Sequence, residues 1–83
     1  MDTDAALTAR IAEIVREAVE ASGTPIKALA ESSGVARGTL IRKLRGPSES
    51  PFTTAELARL APHIGMTPGE IVTRAEQSLG RAA

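Results

Sequence analysis

Apolar side chains return every three or four residues along the first part of the chain. Leu7, Ile11, Ile14, Val15, Ala18 and Val19 fall on one stripe, with Arg10, Glu13, Arg16, Glu17 and Glu20 between them. That spacing is the period of an amphipathic helix and predicts one over 4–22. Asp4 is placed to cap its start and Gly23 to take the left-handed conformation at its end. Thr24-Pro25 then reads as the N-cap and first helical residue of a second helix, which buries Ile26, Leu29 and Ala30 and stops at Gly34. A third helix runs from Ala36 or Arg37 to Arg45, with Leu40, Leu44 and part of Ile41 inward, and ends at Gly46-Pro47.

Residues 46–52, with two prolines and small polar side chains, form the one loop-like stretch. Thr53 and Glu56 have the spacing of a capping box, with Phe52 placed to staple onto Leu57, so a fourth helix opens here. Leu57, Leu60, Ala61 and Ile64 are its buried stripe, Pro62 distorts its last turn, and Gly65 closes it. Thr67 and Glu70 repeat the capping box, with Met66 and Ile71 as staple, and start a fifth helix. Ile71, Val72, Ala75 and Leu79 are its apolar side, and 80–83 are expected to fray. The expected fold is therefore all-α: one domain over 1–83 with five helices and no strand. Its expected core contains Leu7, Ile11, Ile14, Leu29, Ala30, Val35, Leu40, Leu57, Leu60 and Ile71.

Composition narrows this picture. Hydrophobic residues make up 42% of 83, enough for a packed core, yet Phe52 is the only aromatic, so aliphatic side chains must build it. The absence of cysteine excludes disulfides and thiolate metal sites and suits a reducing compartment. No apolar run has the length of a membrane span and no signal-peptide core follows Met1, so a soluble cytoplasmic protein without membrane contact is expected. The formal net charge is zero, but it is unevenly spread. Over 1–23, five carboxylates (Asp2, Asp4, Glu13, Glu17, Glu20) outnumber Arg10 and Arg16; over 24–46, Lys27, Arg37, Arg42, Lys43 and Arg45 face only Glu31. One short basic segment sits on an otherwise acidic molecule, which points to an anionic partner.

That segment coincides with a motif. Two short helices joined by a tight turn containing Gly are a DNA-binding arrangement. It needs a small residue where the helices cross (Ala30), positive φ in the turn (Gly34), and apolar residues packing the second helix on the first (Val35, Leu40). With the run Leu29-Ala30-Glu31-Ser32-Ser33-Gly34-Val35-Ala36-Arg37-Gly38-Thr39-Leu40, the chain resembles the Cro and repressor helix-turn-helix family, the phage lambda repressor-like regulators. The likeness covers roughly 24–72. Gly34 to Leu44, followed by Pro51-Phe52-Thr53 and Glu56-Leu57, looks like the actinobacterial and actinophage type. Two positions depart from the family pattern: Ser33 replaces an apolar residue before the turn, and Lys43 stands at the second apolar anchor, a role expected to pass to Leu44.

The resemblance implies a helix-turn-helix unit over 26–46, a recognition helix over 36–45 in the major groove, and a phage or prophage Cro-like protein or repressor that regulates transcription. On a helical wheel anchored by Leu40 and Leu44, Thr39 and Arg42 point outward and Gly38, Lys43 and Arg45 flank them; Arg37 lies in the first turn, where a long side chain extends past the helix end. Candidate base contacts are Arg37, Gly38, Thr39 and Arg42, because Arg pairs bidentately with guanine and Thr meets a thymine methyl. Candidate phosphate contacts are Thr24 and Ile26 through the backbone N–H groups, with Lys27, Lys43 and Arg45. One recognition helix reads too few base pairs to stand out in a genome, so a weak homodimer is expected. Its candidate surface is Met66, Ile71, Val72, Ala75 and Leu79. His63 reads as a helix C-terminal dipole partner, and no catalytic set, metal site, cofactor or small-molecule site can be assembled; an enzyme is not expected. The competing function is a protein–protein adaptor, or an inhibitor of another regulator, using the same fold without DNA.

Overall fold

The longest apolar stripe becomes the longest helix. In the computed structural model, which describes residues 3–45 and 51–80, α1 spans Thr3–Ser22, α2 Ile26–Ser33, α3 Arg37–Arg45, α4 Thr54–Leu60 and α5 Pro68–Gly80; a 3-10 turn over Ala61–Ile64 continues α4. Among the described residues there is no strand, and no helix is long and apolar enough to cross a membrane. Residues 46–50 of the expected loop over 46–52, the stop at Gly46-Pro47 and residues 81–83 of the end expected to fray lie outside the described residues, while Gly80 still belongs to α5. The side chain of Asp4 also lies outside them. Its backbone already belongs to α1, which begins one residue earlier than expected.

Local chemistry fixes most boundaries. Gly23, Gly34 and Gly65 take φ of 71°, 79° and 72°, the left-handed region open to glycine, and each ends a helical segment. At α4 the Thr53 hydroxyl accepts from the Glu56 N–H (3.1 Å) and the Glu56 carboxylate from the Thr53 N–H (2.8 Å). Thr67 and Glu70 reproduce both bonds at α5, at 3.0 and 3.1 Å. Pro62 has no N–H to give and its ring crowds the preceding turn, so the chain tightens into the 3-10 turn there. The start of α2 differs from expectation. Pro25, not Thr24, occupies the N-cap position: its φ/ψ of −61°/146° is extended and its carbonyl accepts from the Leu29 N–H at 3.0 Å. The Thr24 N–H donates instead to Ser22 Oγ (3.2 Å), which in turn donates to the Val19 carbonyl (2.8 Å), so Thr24 belongs to the finish of α1.

The core joins Ile14, Val15 and Val19 of α1 to Leu29, Val35, Leu40, Leu57, Leu60, Ala61, Ile64, Ile71 and Ala75. Leu7, Ile11 and Ala30, expected inside, are half-buried at its edge. α5 docks along α1, and Arg10 Nε donates to Ser78 Oγ (2.9 Å) across the two helices. Ile71 and Ala75 are fully covered by this docking. They are therefore not a dimer surface: the apolar side of α5 is used on α1, which leaves Met66, Val72 and Leu79 half-buried.

Candidate functional site

α2 and α3 are joined by Gly34-Val35-Ala36. The Gly34 N–H donates to the Ala30 carbonyl (3.0 Å), ending α2, and the chain turns so that Val35 enters the core. Ser33, polar at an inward-facing position, is buried, but its Oγ accepts from the Val35 N–H at 3.2 Å. The hydroxyl thus stabilises the turn and is not left unpaired. α3 leaves the turn with the Ala36 carbonyl accepting from the Leu40 N–H (3.0 Å).

The inward face of α3 differs from the sequence-based wheel. Leu40 is fully buried and its partner is Lys43, only 6% exposed, whereas Leu44 is half-buried. The ammonium of Lys43 donates to Glu56 Oε1, the same oxygen that accepts from the Thr53 N–H. Burial pushes the Glu56 carboxyl up, but the hydrogen bonds from Lys43 and Thr53 and the Lys43 charge outweigh it and hold the group below the usual glutamate value. Lys43 is therefore not available to phosphate. Its butyl stem fills the anchor position and its charged end is neutralised by the cap of α4.

Taking Lys43 in place of Leu44 as second anchor turns the buried axis of α3 by about 50°, at 100° per residue. Thr39, expected to point outward, moves to a half-buried flank. Gly38 and Arg45 lie opposite the core, with Arg42 on one side of them and Ile41 on the other; Arg37 is exposed in the first turn. On α2, Lys27 is exposed. Lys27, Arg37, Arg42 and Arg45 make no ion pair with any described residue; the pairs present are Arg10–Glu13, Lys43–Glu56 and Glu70–Arg74. Ile26, Lys27 and Ala28 occupy the first turn of α2, where N–H groups have no acceptor inside the helix. Ile26 thus keeps its expected place, while the Thr24 N–H is already taken.

Gly38 contributes nothing to internal packing: a Cβ built there meets nothing within 4 Å, and its backbone is ordinary right-handed helix. Gly38 is the second residue of α3, where alanine would fit the same backbone, so packing gives no reason for a glycine there.

Sequence reasoning missed one feature. The Lys43–Glu56 pair joins residues thirteen apart and so has no helical period; its signal was an i,i+3 spacing from Leu40 and an opposite charge in the capping box. Ile41, expected to be inward only in part, is half-buried beside Gly38. His63 is exposed in the last turn of the 3-10 segment, at a C-terminal end as expected. Among the described residues no three His, Cys, Asp or Glu side chains come together. No protein-family model, characterised protein or solved structure matches the chain.

Proposed function

We propose that the protein is a sequence-specific double-stranded DNA-binding regulator of the helix-turn-helix type, of the Cro or repressor kind, with α3 in the major groove. The observation that carries this reading is the outer face of α2 and α3: Lys27, Arg37, Arg42 and Arg45, all exposed and none ion-paired with a described residue, around a helical glycine the packing does not need. Cations left without internal partners favour a polyanion, and a glycine on the same face lets a backbone approach closely. Arg37 and Arg42 are assigned to base edges, and Lys27, Arg45 and the free N–H groups at the start of α2 to phosphates. Pairing over Met66, Val72 and Leu79 on DNA is part of the reading, since one helix reads too few base pairs.

Site selection from random duplex DNA, followed by affinity measurement across a salt series, tests this. Log Kobs should fall linearly with log[salt], by about 0.9 per neutralised phosphate. Arg37→Ala and Arg42→Ala should each cost roughly 1–3 kcal/mol on the selected site and far less on random duplex. Lys27→Ala and Arg45→Ala should weaken all sequences alike and reduce the salt slope by about 1. Equal losses on specific and random DNA would make both Arg residues phosphate contacts. Binding to a protein partner without salt dependence, and none to DNA, would favour the adaptor.

Gly38→Ala separates fold from function. The variant should be at least as stable as the parent in thermal unfolding and lose affinity for the selected duplex. A stabilised protein that binds DNA as tightly as before would remove Gly38 from the interface.

A further inference from the structure

An isoleucine on a basic face is out of place. At Ile41 the side chain is half-exposed, one turn from Gly38 and Arg45, on the part of α3 that the Lys43 anchor turns outward. With Ile26 and Leu44 it lines an open, mainly apolar depression between α1, α2 and α3, and Arg16 and Arg45 line the same depression. Nothing in the core requires this residue, because Leu40 and Lys43 already seat α3. Exposed aliphatic surface among unpaired cations suits a ligand that is anionic overall and carries small apolar groups at short range. Duplex DNA meets that description: its phosphates are anionic, and the apolar groups standing in its major groove are the C5 methyls of thymine.

We infer that Ile41 is a specificity-determining residue that packs against thymine C5 methyl groups, within the DNA interface proposed above and resting on that reading. The ridge of α3 then combines two kinds of recognition. Arg42 on one side of Gly38 and Arg45 offers hydrogen bonds to base edges, and Ile41 on the other offers dispersion and desolvation to methyls. The site would favour thymine at the positions beneath Ile41, with little gain from hydrogen bonding there. Ile26 and Leu44 continue the apolar surface behind it, so a methyl entering from the groove meets hydrocarbon on more than one side.

The experiment pairs a base change with a side-chain change. In the selected duplex each thymine is replaced in turn by uracil, which deletes the C5 methyl and nothing else, and affinity is measured for the unaltered protein and for Ile41→Ala. The unaltered protein should lose about fourfold at one or two positions, the factor expected for one methyl leaving an apolar contact. Ile41→Ala should bind the thymine duplex correspondingly less well and be indifferent to uracil at those positions. With a C·G pair placed at those positions, 5-methylcytosine should bind better than cytosine only for the unaltered protein. Ile41 is half-exposed and alanine is the best helix former, so Ile41→Ala should keep its helical circular dichroism. Uracil tolerated everywhere, a selected site without thymine, or an Ile41→Ala variant equally sensitive to uracil would each overturn the assignment while leaving DNA binding intact. If the unaltered protein binds no duplex at any salt concentration, the DNA reading falls and Ile41 with it.

Discussion

Glu56→Ala is expected to destabilise the protein by about 3–5 kcal/mol, a large share of what a domain of this size has. The substitution does two things at once. It opens the capping box at α4, which alone is worth about 1 kcal/mol, and it leaves the Lys43 ammonium buried against the core with no counter-charge. The reverse deletion should behave differently. In Lys43→Met an apolar chain of similar length fills the anchor position, and Glu56 keeps its bond to the Thr53 N–H, so stability should be unchanged or increased. Lys43→Met combined with Glu56→Gln should recover most of the Glu56→Ala loss, because glutamine preserves the cap and no unpaired charge remains. Urea denaturation of the four proteins decides the matter; a Glu56→Ala loss under 1 kcal/mol, or a Lys43→Met loss as large as that of Glu56→Ala, would show that the pair is not desolvated. The pair also has a pH signature. Glu56 titrates below its ordinary value of 4.5 in the folded protein. The unfolded chain therefore binds more protons in that range, and stability rises with pH. The contribution is fully present above about pH 4.5 and is lost as pH falls through the folded value. In Lys43→Met this acid loss should shrink.

The second large effect is at the seat of α3. Leu40→Ala should cost about 3–5 kcal/mol, the range for emptying a fully buried leucine site. Leu40 has no exposed surface and belongs to the core that α3 shares with α1 and α2, so its removal leaves an internal cavity. If the protein binds DNA as proposed, affinity should fall with it, but through the population of folded protein: at a lower temperature, the folded fraction should still show salt-dependent binding to random duplex. Arg42→Ala should give the opposite pattern, with unfolding unaltered and specific binding lost. Thermal unfolding and duplex titration on the same samples separate the two. A Leu40→Ala protein as stable as the parent would mean that α3 is held by Lys43 alone.

The contrast between these sites tells which parts of the structure the sequence made legible. Capping boxes at Thr53 and Thr67, left-handed glycines at 23, 34 and 65, and the distortion at Pro62 all depend on groups within four residues, and each was visible as a spacing. The apolar stripes likewise placed Ile14, Leu29, Leu40, Leu57 and Ile71 inside. What escaped depends on packing between distant segments. A lysine reads as surface until its counter-charge is known, so the sequence puts Lys43 outward and Leu44 inward, and the wheel built on that choice misplaces Thr39. The apolar side of α5 looked larger than docking needs because the reach of α1 along it cannot be counted from periodicity. For the candidate interface, the exposed positions of Lys27, Arg37, Arg42 and Arg45 were legible, since charged residues in short helices go outward unless paired.

The contact of α1 with α5 sets the order in which this chain can complete itself. Arg10 and Ser78 are 68 positions apart, whereas α2 meets α3 across a three-residue turn. Loop-closure entropy makes distant partners late, so the helices carrying the cations can pair while the apolar stripe of α1 is still uncovered. During synthesis that stripe stays without its lid until α5 has emerged from the ribosome, and it is the surface a chaperone or a neighbouring nascent chain would meet. Substitutions along the α1–α5 seam should then change how fast the finished protein opens more than how fast it forms.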